Sequence, residues 1–212
     1  GDPGPPGSDA AGVVCDAAIS ASHRIGDDVF GIGQSVLASF SRAAPQLLAL
    51  KPASLSFEQA CTLPVSWSTT HTAVEKARLR CGQHLLIHAA AGGTGLKATE
   101  YAQWLGSGLL GSASRPHKHR TLRFAGVRRL CSSRNAQAFT FGVSRLLCRR
   151  RAHAVLNSLS LDFISTSFAF ISESGALEEI GKRSVWSLHR HTVSAPVVAY
   201  SVIAFDTDAS AN

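Results

Sequence analysis

The chain has 212 residues, of which 45% are hydrophobic and 17% charged, and this balance excludes a disordered polypeptide. Lys and Arg number 21 against 14 Asp and Glu, which gives a formal net charge of +7. No apolar run approaches the ~18 residues of a membrane-spanning helix, so the composition predicts a packed core and no membrane segment.

The first third of the chain predicts strands and loops. Short apolar runs punctuated by Gly and Asp predict strands at residues 11–14, 27–33 and 35–40. The segment LSFEQACTL has the spacing of a short helix, with Ser54 or Ser56 as its N-cap. We therefore expect a mostly β region here.

From residue 68 the pattern changes to alternating helices and strands. A helix is predicted over 68–78 and another over 94–105, which Gly106 ends. Strands are predicted at residues 84–88, 108–113, 128–133, 153–159, 175–181 and 195–205. This alternation is typical of βαβ units and predicts an α/β fold, with a doubly wound parallel sheet of the Rossmann kind.

A glycine-rich segment between a predicted strand and a predicted helix is the most informative feature. In HLLIHAAAGGTGLKA, residues 84–98, the letters from Gly93 to Ala98 fit G-x-G-x-x-A in the context of a dinucleotide-binding fingerprint. Gly93 is expected to permit the tight turn, Gly95 to let the backbone approach a pyrophosphate, and Ala98 to allow close helix–strand packing. The helix N-terminus would offer free N–H groups to the phosphates. The alternative is a β–α turn that binds no ligand.

The next predicted strand bears on the choice between NAD and NADP. An NAD site uses an acidic residue about 20 positions past the turn. Residues 111–120 read GSASRPHKHR and contain no acid. Side chains suited to a 2′-phosphate stand there instead, namely Ser112, Ser114, Arg115 and Lys118. The sequence thus favours NADPH, and the alternative is a solvated basic loop.

A long basic stretch raises the question of nucleic acid. No acidic residue occurs from Tyr101 to Leu161, while eleven Arg or Lys fall between Arg115 and Arg151. A nucleic-acid face is one interpretation of such a stretch. No aromatic residues interleave as a stacking surface requires, and a nucleotide-phosphate pocket with solvated arginines fits the same charges. We therefore expect no nucleic-acid partner, and no membrane partner either.

The sequence ends and the cysteines indicate the context of the chain. No methionine occurs, which indicates a processed chain or, the reading we favour, a piece of a longer protein. The N-terminus lacks the basic-then-apolar order of a signal peptide. Five scattered cysteines without a C-x-x-C pair favour reduced intracellular thiols over a disulfide framework. A cytoplasmic location is the resulting expectation.

Five segments occur in the order and spacing of one known domain. They are PGSDAAGVV at 6–14, LKPASLSFEQACTLPV at 50–65, LLIHAAAGGTG at 85–95, VLNSLS at 155–160 and LEEIGKR at 177–183. In them the chain resembles the enoyl-reductase domain of polyketide synthases and animal-type fatty acid synthases, within the medium-chain dehydrogenase/reductase superfamily. The resemblance implies a partial GroES-like substrate lobe at 1–66, a Rossmann NADP-binding domain at 67–192, and a return to the substrate lobe at 193–212. It implies a substrate lobe truncated at both ends.

The resemblance also implies the reaction and the cofactor contacts. The reaction is reduction of a trans-2-enoyl thioester on an acyl carrier protein, with hydride passing from NADPH to the β-carbon. The cofactor-binding residues by this comparison are Thr69, Ala90, Gly92, Gly93, Thr94, Gly95, Asn157, Ser158, Leu159, Gly181 and Lys182. For Asn157 and Ser158 the alternative is a strand-end turn that hydrogen-bonds its own backbone.

The resemblance also bears on the proton donor. Lys118 matches a lysine that, with an aspartate, has been proposed to supply the proton in these reductases, although it also suits a phosphate. Asn135 and Gln137 stand where the aspartate is expected, and neither is an acid near neutral pH. The active-site tyrosine of the family lies outside the chain. A free-standing quinone oxidoreductase and a non-catalytic remnant are therefore alternatives to a synthase module.

Metal binding is judged from the same comparison. Zinc-dependent relatives place Gly-His-Glu where residues 7–9 read Gly-Ser-Asp, which removes the histidine ligand. No four closely spaced cysteines are present for a structural site. His117 and His119 flank Lys118 and are interpreted as solvated. The prediction is a zinc-free reductase.

The partners implied are an acyl carrier protein bearing the enoyl thioester and other synthase domains of the same polypeptide. Residues 146–153 depart from the family by placing three arginines where it has a Gly-rich turn and an aspartate. These arginines either meet an acidic carrier protein or face water, and the second reading is favoured.

Overall fold

The computed structural model describes residues 7–18, 22–159, 162–181 and 185–204. The chain divides into two compact units, Gly1–Ser68 and Thr69–Asn212. Each unit has its own sheet, antiparallel in the first and parallel in the second. The two units are described separately below.

The first unit is a three-stranded antiparallel sheet followed by a short helix. Its strands are β1 (Asp9–Val13), β2 (Asp28–Ile32) and β3 (Leu48–Leu50), which pair in that order. Helix α1 (Phe57–Ala60) begins after Ser56, whose side chain and that of Gln59 form a capping box, which confirms Ser56 as the N-cap.

The strand predicted over 35–40 is wrong. Ser35 has a φ of +55°, a left-handed conformation that a strand does not accommodate. The segment is a loop, closed by an isolated bridge between Gln34 and Arg42.

The second unit contains a six-stranded parallel sheet in the order β6-β5-β4-β7-β8-β9. Its strands are β4 (His84–Ile87), β5 (Gly108–Ala113), β6 (Leu130–Ser132), β7 (Ala152–Asn157), β8 (Ile171–Glu179) and β9 (Ala199–Val202). The helices are α2 (Pro64–Lys76), whose residues up to Ser68 belong to the first unit, α3 (Gly93–Trp104), α4 (Pro116–Phe124), α5 (Ala136–Leu147), α6 (Asp162–Phe168) and α7 (Leu188–Ser194). The predicted Rossmann-like sheet is confirmed, and β5 has the predicted bounds.

Two apolar layers cover the two faces of the parallel sheet. One layer receives Phe139 from α5 and Ile164 from α6, and the other receives Ala98 from α3 and Leu122 from α4. All four of these side chains are completely buried. The amphipathic helices thus bury their apolar faces on opposite sides of the sheet, as a doubly wound fold requires.

The common direction of the strands distinguishes two edges of this sheet, which we call the carboxyl edge and the amino edge. Because every neighbouring pair is parallel, all carboxyl-terminal strand ends lie at one edge and all amino-terminal ends at the other. The chain runs from β4 outward to β6, then returns to β7 and runs outward to β9. In doubly wound sheets, ligands bind at the carboxyl edge where this order reverses, which here lies between β4 and β7.

Candidate functional site

The turn from β4 into α3 lies at this reversal point and makes its bend before the glycines. Ala89 has a φ of +45°, and the Gly92 amide donates a hydrogen bond to its carbonyl at 2.8 Å. Gly93 is the first residue of α3. The prediction that Gly93 provides the tight turn is therefore wrong, since the left-handed residue of this bend is Ala89.

Gly95 is the point of closest approach between helix and turn. A Cβ atom on Gly95 would lie 2.7 Å from three backbone atoms of Ala90, a separation that real Cβ atoms do not adopt. Ala90 and Ala98 are completely buried in the same apolar layer. Gly95 therefore supplies the close packing that the sequence analysis assigned to Ala98, and this packing fixes the direction of the helix.

The N-terminus of α3 is uncapped. Its N-cap is Gly92, which has no side chain to accept from the first N–H groups. The N-cap of α4, Arg115, also makes no side-chain cap, whereas Asn135 and Ser187 cap α5 and α7 with their side chains. Uncapped N–H groups and the positive end of the helix dipole suit an anion. Both uncapped helices follow strands that end at the carboxyl edge.

Ser112 does not belong to the surface predicted for a 2′-phosphate. Its side chain has 0% exposure, and within the described residues its Oγ has no hydrogen-bond partner. Alternation along β5 places it on the same face as Leu110, which belongs to the apolar layer around Phe139. The prediction that Ser112 donates to a phosphate is wrong, because the hydroxyl points into the core.

The other three predicted residues follow the buried carboxyl end of β5. Ser114 is half-buried, while Arg115 and Lys118 are exposed at the start of α4. Arg134, which follows β6, donates from Nε to the Ser114 carbonyl at 2.8 Å. The sequence analysis missed Arg134, although the carboxyl end of the neighbouring strand was the place to look for it. Three cations thus gather at this corner without an acidic residue in the segment.

Four polar side chains form a buried row beneath the carboxyl edge. The strand registers set residues of β5, β4, β7 and β8 side by side at this level of the sheet. The residues are Ser112, His88, Asn157 and Glu179, none more than 2% exposed. We call them the buried polar row.

The Asn157 side chain hydrogen-bonds the backbone of the turn that follows β7. Its Oδ1 accepts from the Leu159 amide at 3.2 Å, and its Nδ2 donates to the Leu159 carbonyl at 2.8 Å and also to Glu179. The Ser158 hydroxyl donates to the His88 carbonyl at 3.3 Å. The Asn157 contacts match the alternative of a strand-end turn bonded to its own backbone, whereas the Ser158 hydroxyl bonds the neighbouring strand. The cofactor contact expected of these two residues stays a prediction.

Glu179 braces the next turn in the same way. Its Oε1 accepts from the Gly181 amide at 2.6 Å, and a Cβ on Gly181 would lie 2.6 Å from that oxygen. A larger residue at this position would therefore displace the Glu179 carboxyl group from the Gly181 amide. Burial raises the pKa of Glu179 to about 7, although Asn157 and the Gly181 amide oppose the shift. Lys182, predicted to touch the cofactor, lies outside the described residues.

His88 is a neutral histidine with a defined tautomer. Its Nε2 lies 3.2 Å from Ser167 Oγ, whose own hydroxyl donates to the Phe163 carbonyl at 2.6 Å. His88 therefore donates through Nε2–H, and Nδ1 is an acceptor without a partner among the described residues. Burial lowers the pKa of His88 to about 4, with Asn157 opposing the shift.

The remaining candidates have varied surroundings. Thr69 is buried on α2, and His117 is exposed on α4. The Asn135 side chain accepts from the Ala138 amide at 2.7 Å, so helix capping accounts for the residue at the expected aspartate position. His119 is half-buried with Nε2 2.7 Å from the Ala113 carbonyl, so the interpretation of His119 as solvated is wrong.

Two further observations concern metals and membranes. The described ranges contain no group of three His, Cys, Asp or Glu side chains that could hold a metal ion. Asp9, in the segment compared with zinc-dependent relatives, accepts from the Val65 amide at 2.7 Å. Among the helices in the described part of the chain, none has the length and apolar character to cross a membrane.

The sequence of the chain is similar to those of polyketide synthases. A highly reducing polyketide synthase from Didymella fabae is 34% identical over 183 residues, which cover 84% of this chain and 10% of that protein. The chain therefore spans about a tenth of the length of this curated relative. No protein-family model matches the chain.

Comparison of the fold gives enoyl reductases. The crystal structure of CurK enoyl reductase has a TM-score of 0.88 and 28% identity, and the match covers 97% of this chain and 62% of that one. A mycobacterial protein complexed with NADPH has a TM-score of 0.83, covering 93% of this chain and 64% of that one. At 23% identity, this second match shows the fold alone.

Proposed function

We propose that this chain, a homologue of polyketide synthases with enoyl reductases as structural neighbours, is the NADPH-dependent enoyl reductase of a multidomain synthase. The observation that carries the proposal is the β4–α3 turn. It presents an uncapped helix N-terminus at the reversal point of a doubly wound sheet, held by backbone packing at Gly95. The neighbours are oxidoreductases, which supports redox chemistry in general.

The residues present fit a dinucleotide that carries a pyrophosphate and an additional 2′-phosphate. The N–H groups at the start of α3, from Gly93 to Gly95, would hold the pyrophosphate. Arg115, Lys118 and Arg134 would hold the 2′-phosphate, because their corner is cationic and no carboxylate occurs in the segment to repel it. We assign the turn at Ser158–Leu159 and Gly181 to the rest of the cofactor through backbone contacts, since the buried polar row fixes both turns.

When bound, NADPH supplies the hydride for the β-carbon of an enoyl thioester. Lys118 is exposed and available either to pair with the phosphate or to deliver a proton to the α-carbon. The acyl carrier protein that brings the thioester, and the neighbouring synthase domains, are partners of the same proposal. The multidomain nature of the curated relative supports them.

Fluorescence titration of the full chain with NADPH and NADH tests the cofactor. NADPH should bind about tenfold more tightly or better, and Arg115→Ala should remove about tenfold of that affinity without changing NADH binding. Arg123→Ala is the matched control, because Arg123 is exposed in the last turn of the same helix. Negligible binding of both nucleotides would overturn the proposal.

Turnover separates the remaining alternatives. A crotonyl thioester should be reduced at the expense of NADPH absorbance, while a quinone substrate should not compete. Preferred turnover of the quinone would favour a quinone oxidoreductase. Tight NADPH binding without turnover of either substrate would instead favour a cofactor-binding remnant. Lys118→Arg keeps the charge for the phosphate, so a loss of kcat with unchanged NADPH affinity would assign the proton to Lys118.

A further inference from the structure

A groove of about 920 Å³ opens at the amino edge of the parallel sheet, the edge opposite the candidate nucleotide site. Its walls come from the residue before β7, the start of β8, helix α6, and the region around α7. The lining residues that define its chemistry are Arg151, Phe168, Glu173, Trp186, Arg190 and Val197. We call it the arginine groove.

The backbone of the arginine groove is shaped by an irregular start of β8. Ser174 has a φ of +63°, and its amide donates to the Val197 carbonyl at 3.1 Å. A Cβ on Gly175 would lie 2.5 Å from Ile171 Cγ2 and 2.8 Å from the His153 carbonyl. The strand therefore bulges in a fixed way, and one wall of the groove is built by strained backbone.

The cations at this edge have no internal counter-charge. Within the described ranges the salt bridges are Lys51–Asp28 and Lys97–Glu100, so no described arginine is paired with a carboxylate. Arg151, directly before β7, and Arg190 line the groove, and the exposed Arg149 and Arg150 precede Arg151 in the chain. Glu173 is the one carboxylate among the lining residues, and it is exposed. Arg151 donates from Nη1 to the Ala169 carbonyl, a bond that leaves its charge unneutralised. The edge therefore carries net positive charge that can attract an external anion.

Apolar surface adjoins these cations. Trp186 is 7% exposed, packs on Phe168 at 5.1 Å between ring centroids, and carries the Arg190 guanidinium 4.2 Å from its own centroid. Val197 is 62% exposed beside them. A guanidinium held flat on an aromatic ring keeps its edge for hydrogen bonding, so this corner suits a carboxylate next to a large apolar side chain.

We propose that the arginine groove docks an acidic amphipathic polypeptide segment, with an apolar side chain against Val197 and carboxylates on Arg190 and Arg151. Charge complementarity selects an acidic partner, and the exposed Val197 beside the two arginines favours a polypeptide that carries an apolar side chain. Nucleic acid fits less well, because the groove offers no series of open aromatic faces for stacking. In the curated relative, about nine-tenths of the polypeptide lies outside the matched segment and can supply such a partner.

Fluorescence anisotropy on the full chain tests the proposal. The probe is a labelled 15-residue peptide carrying Glu and Asp with one Trp and two Leu at helical spacing. The reference peptide replaces every Glu and Asp with Gln and Asn. The acidic peptide should bind at least about tenfold more tightly than the neutral one, and Arg190→Glu should remove about tenfold of its affinity. Arg123→Glu is the control, being an exposed arginine on α4, away from the groove lining.

Further arms separate the outcomes. Val197→Glu places a negative charge in the groove at an exposed position, so it should weaken binding as Arg190→Glu does, even if one of the two variants fails to fold. Equal binding of the two peptides, or unchanged binding to a folded Arg190→Glu or Val197→Glu variant, would overturn the proposal. Tighter binding of a 15-nucleotide single-stranded DNA that displaces the peptide would also overturn it. Saturating NADPH should leave peptide affinity unchanged, so this result is independent of nucleotide binding.

Discussion

The two edges of the parallel sheet handle polar side chains in opposite ways. At the carboxyl edge, the buried polar row carries no more than 2% exposure on any member. At the amino edge, Arg149 to Arg151 are exposed and have no carboxylate partner among the described residues. Burying polar groups costs free energy unless they are hydrogen-bonded. At the carboxyl edge, buried Asn157 and Glu179 use their hydrogen bonds to hold the turns that follow β7 and β8.

The same contrast applies to titration. At the carboxyl edge, burial moves the pKa of Glu179 up to about 7 and that of His88 down to about 4. At the amino edge, the pKa of His84 is lowered by burial first, then by Arg129, His153 and Arg150. Desolvation and hydrogen bonds thus set the pKa values at the carboxyl edge. At the amino edge, repulsion between cations also contributes, and salt screens that contribution more readily.

Gly95→Val is the change expected to disturb the carboxyl edge most. The new Cβ would lie 2.7 Å from Ala90 backbone atoms, which cannot move without shifting β4 against α3. We expect a loss of about 3 kcal/mol in the free energy of unfolding, with NADPH binding abolished. Urea unfolding and nucleotide titration measure both. Gly12→Val is the control, since no atom lies within 4 Å of a Cβ built there, and loss of stability in that variant alone would contradict the argument.

The site could be predicted from sequence where the signal was local. The β4–α3 turn follows from a strand, a glycine-rich run and a helix in one window, and Gly106 ends α3 with a φ of +74° as expected. The inward direction of Ser112 could not be predicted, because GLLGSA is apolar or small on both faces and has no visible phase. Neither could the alignment of His88, Asn157 and Glu179 in one row, since it depends on the order of the strands in the sheet.

Glu179→Gln should reveal two opposite pH dependences in that row. With its pKa raised to about 7, Glu179 stabilises the fold below its ordinary 4.5 and loses this contribution as pH rises through 7. With its pKa lowered to about 4, His88 stabilises the fold above its ordinary 6.5 and loses this contribution as pH falls through 4. Between pH 4.5 and 6.5 the two trends partly cancel.

In Glu179→Gln, only the His88 contribution should remain, so stability should rise with pH. From pH 4.5 to 7, the free energy of unfolding of Glu179→Gln should rise by about 2 kcal/mol relative to the unchanged chain, measured by urea unfolding at several pH values. Glu173→Gln, at an exposed carboxylate of the amino edge, should follow the unchanged chain throughout. Parallel curves for all three proteins would show that Glu179 ionises normally and would refute its place in the row.

Ser112→Ala should stabilise the protein. The sign of the change in the free energy of unfolding distinguishes a buried, unpaired hydroxyl from one that contacts a ligand. The Ser112 hydroxyl is completely buried and has no partner among the described residues, so removing it should add about 1 kcal/mol to the free energy of unfolding. The ratio of NADPH to NADH affinity should not change. Ser114→Ala, at the half-buried residue just after the same strand, is the comparison. A fall in NADPH affinity with Ser112→Ala would return this residue to the phosphate site.

Arg129→Gln should have the smallest effect, and it acts at the amino edge alone. Arg129 is the leading charged contributor to the lowered pKa of His84, behind burial, so its removal should raise that pKa towards its ordinary value without restoring it. The shift is measured by NMR titration of the His84 ring and should shrink in high salt. Arg145→Gln, an exposed position absent from the charges acting on His84, should leave the titration unchanged. NADPH affinity should not respond to either variant, because the cations of this edge lie at the opposite strand ends from the nucleotide turn.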